Sequence, residues 1–167
     1  MNRRSFIEIK GGAYFAAALA LLIVPSRWLL GVTLAAAIHE CGHLLALRLC
    51  KVPVTAITIG ASGAKIHTGY QTHAEQLICA AAGPLIGLLC AGVMGKMPIV
   101  SLCCYFQSLF NLLPVFPFDG GRVLRSLCCM IFGEVRGTTM FQILQVFLLS
   151  ALVVFIFKLT IFRDMII

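Results

Sequence analysis

GVTLAAAIHECGHLLALRL, residues 31–49, sets three ionisable side chains, His39, Glu40 and His43, inside a run apolar enough to cross a bilayer. In an α-helix, residues i and i+4 lie on one face about 6 Å apart along the axis, so His39 and His43 can both aim an imidazole nitrogen at one metal ion. Glu40 is their neighbour and not a ligand. One position past the first histidine, it can reach water at the metal and take its proton, the general-base role of an H-E-x-x-H helix in zinc proteases. Ionisable groups at the centre of a spanning helix cost on the order of 3 kcal/mol each, so three of them within one short stretch call for a function.

Composition sets the same scene. Hydrophobic residues make up 60% of the 167-residue chain and charged residues 11%, with a mean hydropathy of +1.01, far outside the range of soluble domains. The length fits one domain, residues 1–167. Five apolar regions emerge: Gly12 to Leu22, with an extension past Pro25 to Leu30 left open, Gly31 to Leu49, Ala74 to Gly95, Pro98 to Leu113, and Thr138 to Phe162. Several reach the roughly 20 residues needed to span. A cleaved signal peptide is the weaker reading of the first, because no clear A-x-A site follows the basic Arg3, Arg4 and Lys10 and the next span begins at once.

Between the second and third regions, Val54, Thr55, Ile57, Thr58, Ile59 and Ile66 surround Ala61-Ser62-Gly63, which reads as two short strands and a turn. A strand edge there could pair with an extended substrate, since a helix hides its peptide bonds; a plain surface loop is the alternative. The expected fold is an all-α polytopic membrane protein of about five transmembrane helices, four to six, with a small β-hairpin between the second and third.

The net charge of +7 belongs to span ends and not to a basic stripe with interleaved aromatics. It points to lipid interfaces and away from nucleic acid. With the N-terminus cytoplasmic, that side collects Arg3, Arg4, Lys10, Arg48, Lys51, Lys65 and Arg136, while Arg27 and Lys96 fall outside. The positive-inside rule favours this orientation. Of the eight cysteines, Cys79, Cys90, Cys103, Cys104, Cys128 and Cys129 sit in apolar runs as small hydrophobes, and there is no C-x-x-C pair. Cys41 is read as packing, and His67 and His73 as interfacial or hairpin residues with a gating or second-metal role as the alternative.

The metal needs a third protein ligand. Besides Glu40 the acids are Glu8, Glu75, Asp119, Glu134 and Asp164. Glu8 and Asp164 lie near the chain ends, and Glu75 and Glu134 flank apolar segments where a solvated position is expected. Asp119 stands out in NLLPVFPFDGG, residues 111–121, where Pro114 and Pro117 oppose helix and Gly120-Gly121 permits unusual dihedrals. Irregular backbone at membrane depth must be covered by protein or line a water-filled cavity.

The H-E-x-G-H helix followed much later by N-x-x-P-x-x-P-x-D-G-G resembles the site-2 protease family of intramembrane zinc metalloproteases, over a core from about Gly31 to Met130. The resemblance implies one zinc ion on His39, His43 and Asp119, water activation by Glu40, and a substrate-binding or oxyanion role for Asn111; helix capping is the bland reading of Asn111. Ala82-Gly83-Pro84 also resembles a family element, often followed by an asparagine where this chain has Gly87; close helix packing is the preferred explanation. Arg122 and Arg125 are expected to snorkel to head groups, with Arg122 near enough in sequence to support Asp119.

Several further expectations rest on the resemblance. The chain has no room for a PDZ-like or CBS-like module and is similar in compactness to the sporulation-factor-processing branch. Its partners would be a membrane-protein substrate helix, the lipid bilayer of a prokaryotic cell, and a regulatory membrane partner. A membrane zinc transporter and a catalytically inactive scaffold are the rivals. Whether residues 120–132 complete the fourth span or make a separate pass is open.

Overall fold

Pro25 ends the first apolar run, because a proline has no N–H for the helix ladder and its ring clashes with the turn before it. In the computed structural model, which describes residues 6–61 and 63–166, α1 (Gly11–Ile23) therefore stops and α2 (Ser26–Leu49) starts anew. Then follow β2 (Val54–Gly60), β3 (Gly63–Thr68), α3 (His73–Val93), α4 (Pro98–Asn111), α5 (Asp119–Phe132) and α6 (Glu134–Ile166). Arg3 and Arg4, which carry part of the orientation argument, and Ser62 of the turn lie outside the described residues.

The hairpin is present, and it is part of a larger sheet than expected. A short strand β1 (Ile7–Ile9) runs parallel to β2, with Ile7 opposite Ile57 and Ile9 opposite Ile59. The order is β1-β2-β3, so β2 is central and β3 is an edge strand. Because β1 leads into α1 and β2 follows α2, the first two helices leave the sheet and return to it. The hairpin turn closes at Gly63, whose φ of +107° suits a residue without a Cβ.

The end of α2 is tied to this sheet by a Schellman motif. Val52 N–H donates to the Leu47 carbonyl and Lys51 N–H to Arg48, while Lys51 takes the left-handed conformation at φ 57° where glycine is usual. The motif lets buried Val52 pack with Leu47, Ala46 and Cys79 in a buried apolar cluster. At the start of α3, Thr72 and Glu75 form a capping box: the Thr72 hydroxyl accepts from Glu75 N–H at 3.3 Å, and Glu75 Oε2 accepts from Thr72 N–H at 2.8 Å.

Among the described residues, three helices, in Ser26–Leu49, His73–Val93 and Glu134–Ile161, are long and apolar enough to cross a membrane. The remaining crossing is divided. At 14 residues each, α4 and α5 measure about 21 Å, short of the roughly 30 Å hydrocarbon core. The beginning of α4 is held at the end of α3, where Ser101 Oγ donates to the Ala91 carbonyl at 2.7 Å. The far end of α5 leads to Glu134, which meets His73 at the start of α3. Helices α4 and α5 thus run together antiparallel to α3, and their combined 28 residues have the length of one span. The chain folds as an integral membrane protein, mostly helical with a small sheet, as expected.

Candidate metal centre

His39 and His43 lie on the buried face of α2 with Gly31, Ala35, Gly42, Ala46 and Leu47. That face packs on α3 at unusually short range. A Cβ on Gly42 would stand 2.8 Å from the Ala82 carbonyl oxygen and 2.9 Å from Gly83 Cα, and a Cβ on Gly83 would stand 2.4 Å from His43 Nε2. The two glycines let the helix backbones approach until the His43 ring fits between them. Ala82-Gly83-Pro84 thus acts through packing, as the sequence reading preferred, and the packing is against an imidazole.

His43 is oriented by the backbone of α3. Its Nδ1 lies 2.7 Å from the Cys79 carbonyl oxygen. A carbonyl only accepts, so Nδ1 carries the hydrogen and the neutral ring presents a lone pair at Nε2. Five residues past Cys79 and one past Gly83, Pro84 has no N–H for the Ala80 carbonyl and so loosens the helix ladder next to the Cys79 carbonyl.

Asp119 arrives from the other side. The irregular backbone expected around it ends one residue earlier, at Phe118, and Asp119 is the first residue of α5. The two glycines that follow are required for a reason other than the one expected: neither has a positive φ. Instead a Cβ on Gly120 would meet the Leu112 carbonyl oxygen at 2.2 Å, and one on Gly121 would meet the backbone of Val115 and Phe116 at 2.5 Å. The loop after α4 folds onto the first turn of α5, and this close approach carries Asp119 to the α2 face.

The three groups converge. His39 Nε2 and His43 Nε2 are 3.1 Å apart, and Asp119 Oδ2 is 3.0 Å from the first and 3.2 Å from the second. All three residues are buried. Ligand atoms 2.0–2.1 Å from a tetrahedral ion stand about 3.3 Å apart, so this triangle of two imidazole nitrogens and a carboxylate oxygen fits a zinc-sized ion with one position left open. Arg122 Nη1 lies 3.7 Å from the other carboxylate oxygen, Oδ1. The second buried imidazole nitrogen of His39, Nδ1, has no protein partner.

Glu40 is half-buried beside the two histidines. Asn111, in the last turn of α4, donates its amide to the Gln107 carbonyl at 3.0 Å, a local bond that caps its own helix. Cys41 is exposed on the opposite side of α2, so it does not pack as expected. His67 bonds with Thr58 across the hairpin at 3.0 Å. Arg125 pairs with Glu134 at 3.3 Å. The Cys79 carbonyl was invisible to sequence reasoning, since every residue has one.

Residues 92–155 match peptidase family M50, a segment that holds α4, α5 and Asp119 but not the histidine pair. A protein of Synechocystis sp. that carries the provisional name zinc metalloprotease is 29% identical over 129 residues, covering 64% of this chain and 34% of that protein. The chain thus spans about a third of that relative's length. Among solved structures, the site-2 protease from Methanocaldococcus jannaschii superposes with a TM-score of 0.63 at 20% identity, over 84% of this chain and 76% of that one. That likeness shows a shared fold.

Proposed function

We propose, on the site-2 protease family that the family match, the curated relative and the shared fold support, that this chain is a zinc metalloprotease hydrolysing a peptide bond in or near a transmembrane segment of a membrane-protein substrate. The observation that carries the reading is the convergence of His39 Nε2, His43 Nε2 and Asp119 Oδ2 within 3.0–3.2 Å, with Glu40 next in sequence to the first histidine.

His39, His43 and Asp119 would hold the ion, and a zinc ion there supplies Lewis-acid polarisation of the scissile carbonyl and acidifies water. The chain's own residues do the rest. Glu40 takes a proton from the attacking water as the new C–O bond forms, then gives it to the leaving amine as the C–N bond breaks. The Cys79 carbonyl keeps the His43 ring in the tautomer that points its lone pair inward. Asn111, at the mouth of the α4–α5 break, is the residue proposed to hold the substrate backbone or its oxyanion once its amide leaves Gln107.

His43 and His39 lie six and ten residues before the end of α2, about 9 and 15 Å along the axis from the sheet. Water therefore has its shorter route from the sheet side, the side that the positive-inside rule favours as cytoplasmic. An unwound substrate segment would lie along the β3 edge. Membrane-tethered transcription factors, anti-sigma factors, signal-peptide remnants and sporulation sigma-factor precursors are all substrate classes compatible with this reading.

The test is Glu40→Gln in purified protein, with zinc content and cleavage of a membrane-embedded substrate read together. Retained zinc with cleavage reduced by about 10²–10⁴-fold or more supports the mechanism. Normal cleavage by the variant would sink it, and metal flux in proteoliposomes without proteolysis would favour a transporter instead.

A further inference from the structure

Ten residues after Asp119, α5 carries a second set of donors. Cys129, near its end, comes together with His73, the first residue of α3, and Glu134, the first residue of α6. One nitrogen, one sulfur and one carboxylate oxygen from these residues lie within 4.8 Å of one another, the other such group among the described residues. We propose that His73, Cys129 and Glu134 form a second metal site, for a borderline-soft divalent cation of the zinc class.

The arrangement is more than an ion pair at a helix junction. His73 Nε2 meets Glu134 Oε2 at 2.6 Å, while Arg125 Nη2 holds the other oxygen, Oε1, at 3.3 Å and so fixes the carboxylate plane. The remaining ring nitrogen, His73 Nδ1, is buried without a partner. Cys129 is buried, and its sulfur makes contacts only at weak range, with Thr138 Oγ1 at 3.7 Å and the Glu134 carbonyl at 3.9 Å. A thiol with no strong partner, beside an imidazole and a positioned carboxylate, has the mixed N, S, O character that zinc accepts and that magnesium and calcium do not.

Access is also present. A cavity of about 330 Å³ opens beside the cluster, lined by Thr68, Tyr70, Gln76 and Arg125 as well as His73 and Glu134. It leaves room for a water as fourth ligand and a path for the ion. Because Glu134 is exposed, its side chain can give the fraction of an ångström that spreads the pair to ligand spacing. Binding would release the thiol proton of Cys129 to solvent.

The position gives the site a consequence. His73 precedes Cys79, whose carbonyl orients His43, by about 9 Å along α3, and Cys129 follows Asp119 by about 15 Å along α5. An ion there would clip together the ends of the two helices that bring His43 and Asp119 face to face, and would attach α6 to both.

Cobalt titration of the full chain in detergent micelles tests this. The centre made of His39, His43 and Asp119 contains no thiolate, so a thiolate-to-cobalt charge-transfer band in the near ultraviolet belongs to the second site. The expected result is a band that saturates with two metals bound per chain, persists in Asp119→Ala, and is bleached by zinc. Cys129→Ser should abolish it and leave one metal. Should Cys129→Ser not fold, His73→Ala and Glu134→Gln act on less buried positions, and each should shift the titration to at least tenfold higher cobalt. A wild-type chain that binds a single metal with no such band would overturn the proposal, as would a band that survives in Cys129→Ser or an unshifted titration in the other two. Loss of catalysis in Glu40→Gln bears on the first centre alone, so the two readings fail separately.

Discussion

Gly83 is the position where one methyl group should separate folding from metal binding. A Cβ there would lie 2.4 Å from His43 Nε2, 2.6 Å from Cε1 and 2.9 Å from Cδ2, whereas non-bonded carbon contacts begin near 3.5 Å. Gly83→Ala must therefore push the ring about 1 Å, away from the Cys79 carbonyl that it meets at 2.7 Å. Alanine gains about 0.8–1 kcal/mol in helix propensity, and overpacking costs about 1–3 kcal/mol. The net effect on stability is at most about 2 kcal/mol of loss, and the fold should persist. Displacing a ligand from its supporting bond lowers metal affinity by about 10–100-fold, and a 1 Å misplacement lowers turnover by about 10²-fold. Zinc affinity by competition with a chromophoric chelator, thermal unfolding, and substrate cleavage measure the three quantities on the same preparation. Gly92→Ala is the control, because its Cβ would meet nothing within 4 Å in the same helix. Wild-type zinc affinity and cleavage in Gly83→Ala would refute the claim that the short α2–α3 approach exists to seat His43.

Removing the third donor should act on the metal itself: Asp119→Ala is expected to lower zinc affinity by at least about 100-fold, seen as loss of zinc on dialysis, and unchanged occupancy would exclude Asp119 as a ligand. Lys51→Gly should raise stability by about 0.5–1 kcal/mol, because the left-handed conformation at φ 57° costs a residue with a Cβ about 1–2 kcal/mol, of which glycine's freer unfolded chain takes back about 0.4–1 kcal/mol; a thermal midpoint that falls would contradict the Schellman assignment. Treatment with a membrane-permeant zinc chelator should abolish cleavage and zinc should restore it, whereas cleavage that continues in metal-free protein would exclude a metal-dependent reaction.

Much of the architecture was legible because a membrane leaves few choices. Apolar runs of about 20 residues can only be helices, and Pro25 and the Pro114 to Pro117 segment mark where those helices must break. The strand β1 escaped notice because three residues, Ile7 to Ile9, carry almost no periodic signal and pair with a partner about fifty positions away. Gly120 and Gly121 were flagged correctly but for dihedral freedom, when the need was steric room against the returning loop. The ion pair of Arg125 with Glu134 escaped a linear reading, because only the junction of α5 and α6 brings the two together.

For the site, the sequence alone determined which atoms were available. The i, i+4 spacing of His39 and His43 commits both to one helix face, and the scarcity of acids leaves Asp119 as the prominent third donor. Only the tertiary structure decided that these atoms meet. The 76-residue separation between His43 and Asp119 is closed by two features that no local pattern encodes, the backbone contact at Gly42 and Gly83 and the loop folded over Gly120 and Gly121. Local periodicity says which way a side chain faces along its own helix, whereas the distance between helices is set by what both surfaces lack.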